Sequence, residues 1–465
     1  MEQQNLQHLL QRAGFGESPD KVFSLLGQPT EAVVNELFDR SHSCTMINIL
    51  PSDYRRYYRK DMNEEEKKAA QMLKGEYNKR LIIAWLNKLF TTDEVLREKM
   101  TFFWHGHFAC RDDDPPSAQS LNNTIRKFAL GNFGDLLRAV SKEPAMLRFL
   151  NNQQNRKASP NENFAREVME LFTLGRGNYS ETDIKESARA FTGWTFDDEG
   201  VFQFRRNIHD DGLKQVFGKT GRFAGDDILD LILARKECAR FITTKLYTFF
   251  VNDTPDYGII DRLAKQFYES GYDIAAVMKT MFTANWFYDA KQRGALIKSP
   301  IDLIVGTSRM LRLEIHNAYP LINIQRVLGQ LLYNPPNVAG WKGGKSWIDS
   351  STLLFRMNFG ERMLTSRPVQ SVAKQDDDML EKLDMAELEK IKNLVVAADW
   401  SKFAGSFRDA KKIASVEEIA RFLLRVKNTD AENEILKTIS LNTDLETTLR
   451  DTVIKIISLP EYQMC

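Results

Sequence analysis

The feature that most constrains this chain is the return of apolar residues at intervals of three and four through long stretches. It runs through "EEEKKAAQMLKGEYNKRLIIAWLNKLF" (64–90), "CARFITTKLYTFFV" (238–251) and "IDLIVGTSRMLRL" (301–313). A period near 3.6 places those residues along one side of an α-helix, and that side must be covered. The pattern predicts a mainly α protein, a large multi-helix globular body. With 465 residues, 43% hydrophobic and 27% charged, the chain has enough apolar material for a sizeable core and lies far from disordered compositions. Length alone allows two or three domains or one large helical body.

The pattern breaks at a polar stretch near Ser41 to Asn63, at "NNQQNRKASPNEN" (151–163) and in a Gly-rich stretch from Gly193 to Gly225. Only the last reads as β. Apolar residues alternate on both sides of an Asp-Asp-Glu-Gly turn in "GWTFDDEGVFQF", which predicts one small hairpin near residues 194–206. Residues 1–365 are expected to form a helical core domain. Residues 366–465 are expected to form a helical appendage packed on it, because 366–415 is charged with Met and Leu at helical spacing.

Several functional classes lose support at once. Lys and Arg number 64 against 63 Asp and Glu, so no global positive field exists to hold nucleic acid or an anionic membrane. No apolar run approaches the roughly 18 residues of a membrane span. The start, "MEQQNLQHLLQRAGFG", has neither a basic region nor an uninterrupted apolar one, so a cytoplasmic location is expected, with the periplasm or envelope as the alternative if a signal was trimmed. Cys44, Cys110, Cys238 and Cys465 stand singly, without a zinc-knuckle or disulfide pattern. In "GLKQVFGKT" (212–220) five residues separate the glycines where a phosphate loop needs four, and "GRFAG" follows where a helix should start, so ATP binding is rejected.

Four places concentrate residues able to do chemistry. In "FWHGHFACR" (103–111), His105 and His107 would face opposite ways on a helix, about 200° apart. If Gly106 ends the helix, or if the segment is extended, both rings can turn to one side and share an ion; the plain alternative is a hydrogen-bonded core histidine. In "PNENFAREVMELFTLG" (160–175), Asn163, Glu167 and Glu170 share a helical face with Arg166 at its edge. That is an ordinary solvated face unless it turns inward, where two carboxylates one turn apart can bind a metal or act as acid and base.

A capping box from Ser180 to Asp183 opens the next helix, which carries Glu186 and Arg189. Beyond the hairpin, "NIHDDGLK" sets His209, Asp210 and Lys214 in a loop suited to a metal, to an oriented base or to a simple turn. The fourth place is "YNPPNVAGWKGGKSWIDS", where Asn337, Trp341 and Trp347 sit in an irregular Gly/Pro loop that either stacks on a ligand ring or anchors the loop.

The segments "HLLQRAGFG", "LREKMTFFWHGHFACR", "ALGNFGDLLRAV", "PNENFAREVMELFTLGRGNYSETDIKESARAFTGW", "HDDGLK" and "NPPNVAGWKGGKSW" together resemble the bacterial domain of unknown function 1800 family. The resemblance runs from Gln7 to Phe359, and the closing "PEYQMC" also fits it. It implies that these motifs belong together, and it brings no assigned catalytic residues. It also implies an encoded neighbour, a phosphatase-like hydrolase, as partner.

The expected function is a metal-dependent enzyme, most simply a hydrolase. His105, His107, His209 and Asp210 would hold zinc, iron or a similar divalent metal. Glu170 would be the base, with Glu167 beside it and Arg166 or Arg189 neutralising a substrate anion. Trp341, Trp347, Asn337 and Lys214 would contact substrate, and iron would admit an oxidative reaction instead. The rival expectation is a non-catalytic binding or assembly protein, glycan- or envelope-related, in which the same residues form a satisfied polar network.

Overall fold

The computed structural model describes residues 1–55, 61–365, 394–407, 416–426 and 445–465. Among these the chain is mainly helical, with three two-stranded antiparallel sheets, as the apolar spacing predicts. The charged stretch 366–415 lies for the most part outside the described residues. No helix among them is long and apolar enough to cross a membrane.

The helix Val95–His107 is the centre of the body. Every one of its residues except Gly106 is buried, although its sequence, VLREKMTFFWHGH, carries three consecutive charges. Successive residues point about 100° apart, so each of the three meets a different neighbour.

Arg97 donates from Nε to the carbonyls of Ser41 and Ser43 (2.9 and 2.8 Å) and from Nη1 to that of Arg126 (2.8 Å). Glu98 accepts Arg126 Nε and Nη2 (2.6 and 3.1 Å) and the indole N–H of Trp85 (2.9 Å). Lys99 pairs with Asp302 and lies over the rings of Phe15 and Phe249. Burying a charge is costly unless it is paired and hydrogen-bonded, so these contacts fix where four distant segments stand around the helix.

Around it pack the long helix Glu64–Thr91, opened by a capping box between Asn63 and Glu66, and Pro115–Phe128, which brings Arg126. Pro300–Leu311, whose cap is built from Ser299 and Asp302, brings the acid for Lys99. The chain's last described residues are knit into the same body. The Cys465 N–H donates to Leu296 O (2.8 Å), the Lys298 N–H donates to Gln463 O (2.8 Å), and Gly360 lies against Ile457 of the helix Leu445–Ile457.

The expected hairpin is present as Trp194–Phe196 paired with Phe202–Phe204, turning through Asp197–Gly200. Two further sheets were not expected. Lys214–Val216 pairs with Lys219–Gly221 through Phe217 and Gly218, both at positive φ (49° and 75°). That is the backbone of a type I′ turn, and it makes a hairpin of the segment rejected as a phosphate loop. The third sheet joins Glu314–Asn317 to Val395–Ala397 across nearly eighty residues of chain, a pairing with no local signal.

Replacing Glu98 with Leu leaves the Arg126 guanidinium buried without its carboxylate. We expect a loss of about 3–5 kcal/mol in urea unfolding, while Glu98→Leu combined with Arg126→Met recovers most of it.

Candidate functional site

The central helix continues through Gly106, with the Phe108 N–H donating to Trp104 O (2.8 Å). An ion shared between His105 and His107 required the helix to end there. It does not, and the two rings face different surroundings.

His105 lies edge-on to Trp85 (5.0 Å between centroids) and near Tyr333 and Trp341. Its Nε2 accepts the Tyr333 N–H (3.1 Å), so the proton of the neutral ring is on Nδ1. His107 sits among Phe103, Trp104, Phe108 and Phe172. Its Nε2 faces the carbonyl of Phe172 (3.0 Å), which can only accept, so here Nε2 carries the proton. Burial pushes both rings down to about 3, helped by Arg126 at His105 and by Lys245 at His107.

His209 is elsewhere. Its Nδ1 donates to Thr192 O (2.8 Å), and its ring meets Phe204 edge-on. Asp210 accepts Arg189 Nε and Nη2 (2.7 and 3.2 Å), which holds its carboxyl below the ordinary value, and Lys214 donates to the carbonyls of Asp210 and Gly212. These residues lock the second hairpin onto the helix Glu181–Ala190. From that helix Asp183 also accepts the Phe217 N–H (2.7 Å) and Glu186 the Gln215 N–H (3.1 Å).

The carboxylate helix is α from Asn163 to Glu167 and then widens into a π-helical segment, Val168–Thr173. Glu170 is engaged by Tyr179 and Arg176 (2.6 Å each), contacts that lower its pKa. Arg166 grips Glu181 (2.8 Å) and Glu162 (3.1 Å), while Glu167 is half-buried, its pKa raised by burial and by the nearby Glu170. The structure thus places the expected acid, base and metal ligands in three separate networks. Among the described residues no three of His, Cys, Asp or Glu are grouped to hold a metal ion.

What it does bring together are two of the sequence motifs. Gly340, at φ 74°, lies so near the central helix that a Cβ there would stand 2.4 Å from Gly106 O. Beside this contact lies a cavity of about 350 Å³ lined by Trp341 and Trp347 of the loop and by Phe102, Phe103 and His107 of the helix. Asn337 does not line it; its side chain accepts the Ala339 N–H (2.9 Å) and shapes the turn. Gln11 and Arg12 also reach the cavity wall from the first helix, Gln3–Arg12, as do Lys99, Lys245 and Lys342. Arg12 and Gln11 were not singled out from the sequence. The available signal was a Gln-Arg pair in the motif "HLLQRAGFG", on a helix whose polar residues Gln7, His8, Gln11 and Arg12 are as buried as its leucines.

Residues 8–464 match the family described as "Protein of unknown function (DUF1800)". The chain belongs to that family. No curated protein and no solved structure matches it. Both walls of the cavity, "WHGH" and "AGWKGGKSW", lie within the DUF1800 match, as do the hairpin and carboxylate networks.

The buried rings set a pH dependence. His8, near Arg12 and held by Phe287 O, is also pushed well below its ordinary value by burial. All three rings stay neutral in the fold but take a proton near pH 6.5 once unfolded. Stability present above pH 6.5 is therefore lost as the pH falls below it, for His105 and His107 down to about 3, by up to about 1.4 kcal/mol per pH unit for each ring. Urea midpoints at pH 7 and pH 5 check this. His107→Gln, whose amide can still donate to Phe172 O, is expected to lose less than the wild type by about 2 kcal/mol.

Proposed function

We propose that this DUF1800 protein binds a small ligand in the cavity between the central helix and the Trp341–Trp347 loop, and that its histidine and carboxylate networks are structural. The observation that carries the reading is the backbone contact of Gly340 with Gly106, by which two motifs more than two hundred residues apart wall one hollow. A volume near 350 Å³ falls at the lower end of small-molecule sites. Indole and phenyl rings together in the lining suit a ring-bearing or partly apolar ligand, sugars included. The metallohydrolase reading asks His105, His107, His209 and Asp210 to share one coordination sphere. Their bonds to Tyr333, Phe172, Thr192 and Arg189 favour the binding reading instead.

The test combines released ligand with metal content. Mass spectrometry of compounds freed by denaturing the purified full chain is expected to find one in near-stoichiometric amount. Gly340→Ala, which strains a positive-φ position by about 1–3 kcal/mol and pushes the loop off Gly106, is expected to lose it while keeping its helical circular dichroism. Stoichiometric zinc or iron that disappears in His107→Ala or His209→Ala would replace this reading with the metal-dependent one.

A further inference from the structure

The cavity has an uneven supply of hydrogen-bonding groups. Arg12 is 2% exposed, and its Nη2 donates to the main-chain oxygens of Gln292 (3.0 Å) and Cys465 (2.7 Å). Its Nε and Nη1 are buried without a protein partner. The neighbouring Gln11 has its Oε1 engaged by Arg425 Nε (2.7 Å), which orients the amide and leaves Nε2 as a second buried donor without a partner. Both residues line the cavity. A buried N–H left unmade costs about 1–3 kcal/mol, more when the group is charged, so adjacent open donors on a guanidinium and an amide mark a place built for acceptors.

The charges point the same way. Four lining side chains are cationic, Arg12, Lys99, Lys245 and Lys342, against Asp253, Asp302 and the negative charge at Cys465, all three of which act on Arg12. Asp302 is already engaged by Lys99 and by the Ser299 hydroxyl (2.8 Å), and Asp253 accepts the Thr254 hydroxyl (3.3 Å). Lys245 and Lys342 are both exposed at the rim.

We propose that the cavity binds its ligand through an oxyanionic group, a carboxylate or a phosphate, held by the Arg12 guanidinium and the Gln11 amide and drawn in by Lys245 and Lys342. A guanidinium offers two parallel N–H bonds that match either group, and inside a low-dielectric wall such charge-assisted bonds are stronger than neutral ones. The rest of the ligand lies along Phe102, Phe249 and Trp341. This inference rests on the cavity being a ligand site and adds the chemical class of what it holds.

The experiment is isothermal titration and thermal denaturation of the full chain with inorganic phosphate and, separately, succinate, each against chloride at equal ionic strength. One of the two is expected to bind saturably and raise the unfolding midpoint, and which one does so separates a phosphorylated from a carboxylated ligand. Arg12→Gln is expected to abolish that binding. The rim variant Lys245→Ala with Lys342→Ala, which removes two exposed side chains, is expected to weaken it at least tenfold and decides the matter if Arg12→Gln does not fold. Binding of neither anion beyond chloride, or binding unchanged in the variants, overturns the proposal. If neither anion binds but a neutral compound is released from the wild type and not from Gly340→Ala, the anion assignment alone falls. Absence of both anion binding and a released compound sinks the ligand site as well.

Discussion

Three consecutive charges on a helix with no solvent face, Arg97, Glu98 and Lys99, are the constraint on which the rest of this structure depends. None of them can be buried alone, so the fold is acceptable only when Ser41 and Ser43, Trp85 with Arg126, and Asp302 arrive together. Apolar contacts tolerate sliding; a bidentate carboxylate with an indole on its other lone pairs does not. The central helix is thereby fixed in rotation. With its rotation fixed, the last turn presents Trp104 and His107 to one set of aromatic rings and His105 to another.

That orientation sets up the cavity. Phe102, Phe103 and His107 form one wall because Lys99, a turn or two earlier on the helix, is held toward Asp302 and Phe249. The loop side depends on one glycine: only without a Cβ at Gly340 can the Trp loop approach the carbonyl of Gly106. The first helix closes the end with Arg12, tied to Gln292 and Cys465 and so unable to withdraw from the cavity wall. The cavity is thus a meeting of elements from the beginning, middle and end of the chain, and its electrostatics come from a residue whose neighbours in sequence are a glutamine and an alanine.

The histidine and carboxylate networks have a different physical character. Arg189 with Asp210 and Glu186, and Glu170 with Tyr179 and Arg176, join elements close in sequence and leave the partners mutually satisfied. The helix Glu181–Ala190 works as a rail whose Asp183, Glu186 and Arg189, three residues apart, receive the second hairpin. Polar residues crowd there because two short strands have little apolar surface of their own and are held by backbone N–H groups docking on carboxylates.

The sequence by itself determined the local elements: the helices through their apolar period, the Ser180 cap with Asp183, the hairpin around Asp197–Gly200, and the membership of "WHGH" and "AGWKGGKSW" in one set of motifs. Each of these is set by residues within a few positions of one another, where steric and hydrogen-bonding preferences act directly. The widened π-helical turn that carries Glu170, the turn of Phe217 with Gly218 inside an apparent phosphate loop, and the strand pairing of Glu314–Asn317 carried weaker local signals or none. Only the tertiary structure decided that His105 and His107 would be separated, that Trp341 would face the central helix, and that Arg12 would enter the cavity with two open donors. Those outcomes depend on which buried charges find partners across hundreds of residues, a condition on the whole fold that no local stretch of chain contains.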